Sequence, residues 1–525
     1  MPHRSRPTVP TDRGAVSGGV LAFVVLAAAV AVWLALDDWG RTQLINFLHA
    51  MVPAAIPLLL LFVAGVVAYA APKVLRVILT LAIVAGVAGT ITYWVRYGYE
   101  VKRVYAAAVQ IVDEDMPTFA ERSAYPVADA QAKSNLGDVL GTLGPVRYVP
   151  DGDTDSWNAL VTRRGFWTGY EVVEKGDVPL TGRATATTCE FDDQASARLG
   201  GHFAHSLDRK IAAVRPGATF EATDAYGYCD GDTPIVVVPL QRLQGFWYVT
   251  RTPAGVALYD GHSGQVTVQD SVKDGEIPGP VFPMSLAATL RTSTEALGSF
   301  SDYWHSRSGY DPTPAVEADP NHANPTEFNL RLDNGKGGAY VTPLTPKGAS
   351  ESITAVSVVS STNVTAGKWN DIVVHTYDKK DVRRPGSAIA QAIKGDYGDL
   401  PEWAAGMQIF EITPNSSEEW IASLGQRQDI MYRVRVKPNG DSCLEYASGD
   451  VIRCGKATGE GGNGVGVALQ PGTGQPGSGP VRVPNGGDLS ALTDAELAAL
   501  QQQITSELLA RINAKDSQET ETPAP

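Results

Sequence analysis

The stretch Val74-Leu-Arg-Val-Ile-Leu-Thr-Leu-Ala-Ile-Val-Ala-Gly-Val-Ala-Gly-Thr-Ile-Thr-Tyr-Trp-Val95 is apolar enough to cross a bilayer as a helix, which takes about 20 residues. Two more apolar stretches precede it, residues 18–36 and 51–71, and none of the three has an ionised side chain at its centre. A cleavable signal peptide would have one apolar core of about 7–15 residues. The sequence therefore predicts an uncleaved anchor of three transmembrane helices within residues 17–97.

Positive charges beside the spans predict how the anchor is oriented, because Lys and Arg of short loops stay on the cytoplasmic side. The N-terminal tail, residues 1–16, has three arginines, and the turn before the third span adds Lys73 and Arg76. With three spans, the tail and this turn are cytoplasmic and everything after Tyr97 is extracellular. We expect a multi-pass protein of the cell membrane, with the lipid bilayer as its first partner.

The four cysteines all follow the anchor, as expected of an even set that pairs in an oxidising compartment. Of the three connectivities, Cys189–Cys229 and Cys443–Cys454 are favoured because each closes a local loop. Ser448-Gly-Asp450 predicts a turn between two short strands, which would bring Cys443 and Cys454 together. A structural zinc site is the rival interpretation, and the lack of a C-x-x-C pair disfavours it.

The net charge of −14 bears on the choice of partner. Binding to nucleic acid needs a clustered basic surface that displaces counterions, so we expect no nucleic-acid partner. The same charge disfavours docking on anionic lipid.

The region after the anchor has the pattern of an α+β protein with antiparallel sheet layers. Residues 98–117 predict a helical stalk that continues the third span, since residues 99–112 lack Gly and Pro. Two exported α+β domains are then expected, residues 118–290 and 291–454. The first has a predicted helix over 192–214 and strands at 218–228, 234–240, 245–251, 256–259 and 265–269. The second has predicted strands at 327–332, 339–343, 352–360, 370–377, 407–413 and 430–437, and a helix at 387–394.

Several phrases within residues 190–380 carry a resemblance to known envelope proteins. Three of them resemble the strand and turn layout of PepSY-like domains: Pro234-Ile-Val-Val-Val-Pro-Leu-Gln241, Gly255-Val-Ala-Leu-Tyr-Asp-Gly-His-Ser-Gly-Gln265 and Ile277-Pro-Gly-Pro-Val-Phe-Pro283. Two others are similar to uncharacterised multi-pass membrane proteins of actinobacteria and their phages: Asn324-Pro-Thr-Glu-Phe-Asn-Leu330 and Tyr340-Val-Thr-Pro-Leu-Thr-Pro346. The resemblance implies sheet layers in the cell envelope and assigns no activity to particular residues.

The C-terminal part of the chain changes character after Cys454. Residues 455–487 have the Gly- and Pro-rich composition of a flexible linker. Residues 488–514 predict an amphipathic helix that starts with the capping box Thr493-Asp-Ala-Glu496. Its apolar face is Leu497, Leu500, Ile504, Leu508 and Ile512. Residues 515–525 are expected to be disordered.

An isolated helix of this length is marginal in water, so its apolar face is expected to be buried against something. One option is a partner: another envelope protein, or a sister protomer in a homo-oligomer. The other option is the surface of the chain itself.

Candidate catalytic or metal-binding residues are few, and no cofactor is expected. His202 and His205 lie three residues apart on the predicted helix, but without a carboxylate at ligand spacing two solvent-facing histidines are expected. Asp151-Gly-Asp-Thr-Asp155 begins like a calcium loop, but Ser156 and Thr162 replace the required Gly and acid. It therefore predicts an acidic surface turn.

A nucleophilic enzyme is also disfavoured. The sequence has no Gly-x-Ser-x-Gly, and its cysteines are expected to be paired. His305 and His375 are interpreted as buried or half-buried side chains. No catalytic residue is assigned.

Small residues recur every four positions in the third span, where they would let two helices approach closely. Ala82, Gly86 and Thr90 form one such series, and Ala85 and Gly89 form another. Packing inside one protomer is favoured over packing between protomers.

Together these patterns predict an α+β exported region on a three-helix anchor. The expected function is that of a membrane-anchored interaction or scaffold protein of the cell envelope, without enzymatic activity. The alternative is a component of a membrane transport, secretion or DNA-transfer assembly, although spans without charges disfavour an ion path. An exported hydrolase is the third option.

Overall fold

The computed structural model describes residues 22, 24–30, 32 and 37–456, except 138, 152, 153, 183–185, 314–326, 336, 349 and 379–382. Its helices are α1 Asp38–Ala70, α2 Lys73–Ala106, α3 Tyr125–Asn135, α4 Leu207–Val214, α5 Met284–Thr292, α6 Phe300–Trp304 and α7 Gly386–Asp396.

Strands outnumber helices in the described region after α2. In chain order they are β1 Val109–Val112, β2 Gly141–Leu143, β3 Arg147–Asp151, β4 Thr154–Arg163, β5 Tyr170–Gly176, β6 Thr187–Glu190, β7 Tyr226–Asp230, β8 Thr233–Gln244, β9 Thr250–Asp260, β10 Val266–Gln269, β11 Ser271–Val272, β12 Tyr310–Pro312, β13 Phe328–Arg331, β14 Gly338–Pro346, β15 Ala355–Ser360, β16 Val364–Thr365, β17 Ile372–Thr376, β18 Gln408–Pro414, β19 Trp420–Gln426, β20 Asp429–Val436, β21 Asp441–Tyr446 and β22 Val451–Lys456.

One helix of the described chain, α2, is by itself long and apolar enough to cross a membrane. The helix α1 passes the same test only if its two halves count as one span, since it bends by 57° between Pro53 and Ala55. Pro53 and Pro57 lie inside α1, and a proline removes a backbone hydrogen bond and clashes with the preceding turn. Of the first expected span, residues 24–30 are helical, and much of the rest lies outside the described residues.

The predicted helical stalk is wrong beyond Ala106. The helix α2 ends there, and β1 begins three residues later and pairs in parallel with β17, with Val109 opposite Ile372. The segment Val-Gln-Ile-Val lacks helix breakers, but its β-branched residues also suit a strand. Pairing with a distant strand overrides the local helix preference.

The region after α2, called the exported region below after its expected location, is mixed α+β, as predicted, and built from several sheets. A six-stranded sheet has the order β1-β17-β15-β14-β12, with β13 also paired to β14. The other sheets are β10-β9-β8-β7, β2-β4-β5-β6 with β3 on β4, β18-β19-β20-β21-β22 and the short pair β11-β16. Among the strand pairs of the described residues, β1–β17 is parallel and the others are antiparallel.

Two local predictions in the first half need correction. The helix expected over 192–214 is present only as α4, because Gly200 adopts a positive φ of 67° and Ser206 caps a new helix by accepting from the Arg209 backbone N–H. The strands expected at 245–251 and 256–259 are one strand, β9, which starts at Thr250.

The hydrophobic cores extend across the boundary expected after residue 290, which falls inside α5. Leu286 and Leu290 of α5 are fully buried in a cluster that includes Val237 of β8 and Val359 of β15. Tyr105 at the end of α2 belongs to the same cluster. The end of α2, the β10-β9-β8-β7 meander and the six-stranded sheet thus share one core.

Candidate functional site: the membrane junction

The last turns of α2 are fixed to the exported region by a series of polar contacts. Lys102 Nζ lies 2.6 Å from Glu295 Oε2, and the Tyr99 hydroxyl donates to the Gly298 carbonyl at 3.1 Å. The Tyr105 hydroxyl accepts from the Arg251 backbone N–H at the start of β9. These contacts reach two different segments, the turn after α5 and the start of β9, so α2 cannot swing without breaking several of them.

Burial and charge at this contact shift the pKa values of two groups. Burial acts to raise the pKa of Glu295, but hydrogen bonds from Lys102 and Lys347 outweigh it and hold this pKa below its usual value of 4.5. Burial raises the pKa of Tyr105, although its bond from the Arg251 N–H opposes the rise. Glu295 is therefore an ionised partner of two lysines at neutral pH.

The start of α1 meets the same exported region through α4 and the loop after it. Asp37 is 8% exposed, and its Oδ1 lies 3.4 Å from Arg209 Nε of α4. The Thr42 hydroxyl accepts from the Gly217 N–H at 3.3 Å. The Trp39 ring packs against Phe220 at 5.7 Å between centroids. The loop that follows the first expected span therefore lies against the exported region.

Sequence analysis did not anticipate these junction residues. Polar residues such as Asp37 and Thr42 beside an apolar stretch could have indicated a contact there. Their partners lie over 170 residues away in the sequence, so no local pattern identifies those partners.

Both disulfides favoured by the sequence are present. Cys189 of β6 bonds to Cys229 of β7, at a sequence separation of 40. This bond joins the β2-β4-β5-β6 sheet to the β10-β9-β8-β7 sheet. Cys443 and Cys454 face each other across the β21–β22 ladder, at a sequence separation of 11. They stabilise the exported region and leave no free thiol among the described residues.

The small residues of α2 lie on two differently packed faces. A Cβ atom on Gly86 would lie 2.9 Å from Leu61 Cδ2 of α1, whereas one on Gly89 would meet nothing within 4 Å. Thr90 donates its hydroxyl back to the Gly86 carbonyl, and Ala82 and Ala85 are exposed. Gly86 thus serves packing inside the protomer, and Gly89 faces away from it.

The apolar face Leu497, Leu500, Ile504, Leu508 and Ile512 lies outside the described residues, as do the linker after residue 456 and the tail. The interaction predicted for this helix stays a prediction.

The histidines are used in structural contacts. His202 stacks on Phe166 at 4.0 Å between ring centroids, and His205 Nδ1 lies 2.8 Å from the Ser196 carbonyl oxygen. His375 is buried as predicted, with Nδ1 3.0 Å from the Glu114 carbonyl oxygen, whereas His305 is exposed because it ends the short helix α6. Among the residues that the structure describes, no three His, Cys, Asp or Glu side chains form a group that would hold a metal.

Of the acidic turn expected at 151–155, residues 152 and 153 lie outside the described residues, and Asp155 belongs to β4. Asp155 Oδ2 accepts from the Tyr148 hydroxyl at 2.6 Å and from Arg331 Nε at 2.9 Å. Asp155 therefore connects the β2-β4-β5-β6 sheet to the six-stranded sheet, in which Arg331 lies on β13. This role is structural.

An acidic cleft of about 860 Å³, which no sequence pattern indicated, lies at the C-terminal end of β1. Its lining includes the acidic run 113–115 and, from the β18–β19 turn, Glu418 and Glu419, with Lys437 as a cationic neighbour. Ser416 caps that turn by accepting from the Glu418 and Glu419 N–H groups, so it is not poised as a nucleophile. The cleft offers negative charge and no recognisable catalytic pair.

Two buried ion pairs join separate segments in the interior. Arg291 Nη2 lies 2.9 Å from Glu327 Oε2, and Arg122 Nη1 lies 3.1 Å from Glu411 Oε2. Burial raises the pKa of Glu411, although Arg122 opposes the rise. Arg122 also covers the Trp157 ring at 4.8 Å, so this pair connects three segments of the fold.

Comparison of the chain with protein-family models, with curated proteins and with solved structures gives no match. The resemblance to PepSY-like envelope domains stays an expectation, and the functional conclusion has to come from the geometry of the junction.

Proposed function

We propose that this chain is a membrane-anchored scaffold of the cell envelope, which holds its exported α+β region in a fixed position on the bilayer and presents it to a partner. The single observation that carries the proposal is the continuity of α2 with the exported core. Tyr105 is 4% exposed in that core, and β1 follows α2 directly as an edge strand of the six-stranded sheet. A domain on a flexible tether would have neither feature.

Three spans with a cytoplasmic N-terminus are part of this proposal. Asp37 and Thr42, at the start of α1, contact the same region as Tyr99 and Lys102, near the end of α2. This supports a membrane hairpin whose open end lies on the exported side. A further span before residue 37 would then place the N-terminus on the opposite side.

The partner contact is assigned to the C-terminal amphipathic helix, whose five apolar side chains could each contribute about 1.5–3 kcal/mol on burial before ordering costs. Such a contact is weak alone and gains from the high local concentration that two molecules in one membrane have. The partner is another envelope protein or a sister protomer.

The test is affinity purification of the full chain from its native membrane, followed by identification of the co-purified chains. The variant Leu500→Asp/Ile504→Asp places two charges on the apolar face. The matched control is Gln502→Asp/Ser506→Asp, which adds the same charges on the opposite face of the predicted helix.

We expect the apolar-face variant to lose the partner, or the self-association, and the control to keep it. The melting temperature of the exported region should be the same in both. Unchanged association in the apolar-face variant would refute the interaction. A lowered melting temperature would instead indicate that the helix folds back on its own chain.

A further inference from the structure

Two separate hairpins of the exported region end in the same three residues. Gly165-Phe166-Trp167 is the tip between β4 and β5, and Gly245-Phe246-Trp247 is the tip between β8 and β9. Both glycines have positive φ, 127° and 92°. In both tips the Phe and Trp rings meet edge to face, at 4.9 Å and 83° in the first and 5.1 Å and 82° in the second.

All four rings of these Gly-Phe-Trp tips are about half exposed, between 48% and 57%. Large aromatic groups on a hairpin tip contribute little to a fold that leaves them in water, and their burial elsewhere would be favourable. A tip that serves only as a turn needs glycine and polar residues instead.

The second tip lies beside the aromatic residues of α2. The Tyr93 hydroxyl donates to the Trp247 carbonyl at 2.6 Å, and the Tyr93 and Tyr97 rings lie 6.0 and 6.1 Å from Tyr248. Tyr93, Trp94 and Tyr97 stand at the end of the apolar stretch of α2. Tyr and Trp are enriched at that level in transmembrane helices, where the ring is in the interface and the polar group reaches water.

The first tip is connected to the start of α1. Trp167 packs on Phe203 at 5.2 Å, and Phe203 lies under the Arg209 guanidinium at 5.4 Å. Arg209 in turn pairs with Asp37, which directly follows the first expected span.

Phe203 itself is held in a strained position. It is 62% exposed, and its φ of 50° is unusual for a bulky side chain. Strain that keeps an apolar ring outside the core indicates a use for that ring.

We propose that the two Gly-Phe-Trp tips, together with Phe203, insert into the interface of the bilayer on the exported side and seat the exported region on the membrane. This rests on the membrane anchor of the proposed function and adds a second, peripheral contact with lipid. The rings meet the headgroup and upper acyl region, where aromatic belts are found. Recognition is by zwitterionic or neutral lipid surface, since the net charge of −14 gives no attraction to anionic headgroups.

The test uses the full chain in phosphatidylcholine vesicles with an environment-sensitive dye on one introduced cysteine, the native four being paired. The two probe variants are Phe166→Cys and Phe246→Cys. The control for an exposed turn is Ser448→Cys, and the control for insertion is Val84→Cys in α2. Quenchers are a doxyl group near the lipid headgroup, a doxyl group deep in the acyl chain for the Val84→Cys control, and iodide in water.

Both tip probes should lose about half of their fluorescence to the headgroup-proximal doxyl lipid, because aromatic belts lie at that depth. The Ser448→Cys probe should respond to iodide alone. Tip probes that behave like the Ser448→Cys probe would overturn the proposal. Probes shielded from both quenchers would overturn it too, since a protein then covers the tips.

If doxyl lipid does not quench the Val84→Cys probe, α2 is not inserted in the bilayer. The membrane anchor of the proposed function would then fail as well. Labelled proteins are compared with the unlabelled chain by melting temperature, and Trp167→Cys and Trp247→Cys replace any probe variant that does not fold.

Discussion

Lys102 and Glu295 form an ion pair at 2.6 Å that joins α2 to the 3-10 turn Ser293–Leu297, which follows α5. The carboxylate of Glu295 also lies 2.5 Å from Lys347 Nζ, so one buried acid serves two cations. The charge of Glu295 therefore contributes to two ion pairs at the junction.

Glu295→Gln should lower the stability of the exported region by about 1–3 kcal/mol at pH 7, the usual worth of hydrogen bonds to charged groups. Because the pKa of Glu295 is below 4.5 in the folded state, this stability is present above about pH 4.5 and is lost as the pH falls through the folded pKa. Melting curves of wild type and variant should therefore converge in acid. Glu351→Gln, at an exposed position, is the control, and a pH-independent difference would contradict the prediction.

Glu174 on β5 should show the opposite pH dependence. Burial raises its pKa to about 7, against an opposing hydrogen bond with Asn135. Its protonated form is favoured in the folded state, so the fold loses stability as the pH rises from about 4.5 to 7. Glu174→Gln should stabilise the protein at pH 8 by on the order of 2 kcal/mol and have little effect at pH 4. The exposed Glu190→Gln, on the neighbouring β6, should change neither value, and equal melting temperatures of wild type and Glu174→Gln at pH 8 would refute the shift.

The two disulfides should differ in their contribution to stability. Closing 40 residues removes more entropy from the unfolded chain than closing 11, which corresponds to about 4 and about 3 kcal/mol. Cys189→Ser/Cys229→Ser should therefore lower the melting temperature more than Cys443→Ser/Cys454→Ser. Mass spectrometry of the non-reduced protein checks the pairing, and free thiols in protein from the envelope would contradict it.

Gly86→Val and Gly89→Val make a matched pair on α2. The first should disturb the packing of α1 on α2, since its Cβ would approach Leu61 at 2.9 Å, and the second should not. Proteolysis of the membrane hairpin in detergent compares the two. If Gly89→Val alone abolishes self-association, the face with Ala85 and Gly89 is a contact between protomers.

The topology is checked by labelling cells stripped of wall with a membrane-impermeant maleimide. Arg41→Cys and Ser448→Cys should react, and Lys73→Cys, in the turn between α1 and α2, should stay protected until the membrane is opened. Reaction at Lys73→Cys in intact cells would reverse the orientation and remove the argument for an oxidising compartment.

The parts of the fold that could be predicted are those set by residues close together in the sequence. The strands β8, β14 and β20 follow from β-branched runs, and the Cys443–Cys454 pairing follows from the turn between them. The parallel pairing of β1 with β17 could not be predicted, because a parallel partner is set by tertiary packing and not by a turn.

The candidate site shows the same division. The apolar stretches predict a contact with a membrane, but the partners of Asp37 and Lys102 lie 172 and 193 residues away, where no local pattern indicates them. The apolar spacing misassigned residues 192–206 to an α-helix, because the positive φ of Gly200 and the cap at Ser206 are set by the local backbone and do not alter that periodicity.

The pairing of β1 with β17 also has a consequence for biogenesis. As the chain is exported, Val109 is among the first residues to emerge beyond α2, and its partner Ile372 follows about 260 residues later. At roughly 5–20 residues per second, the edge strand waits for about 10–50 seconds without its hydrogen-bond partners. During this interval the nascent chain is most open to mispairing, so folding quality control should act on intermediates that have emerged only as far as β15.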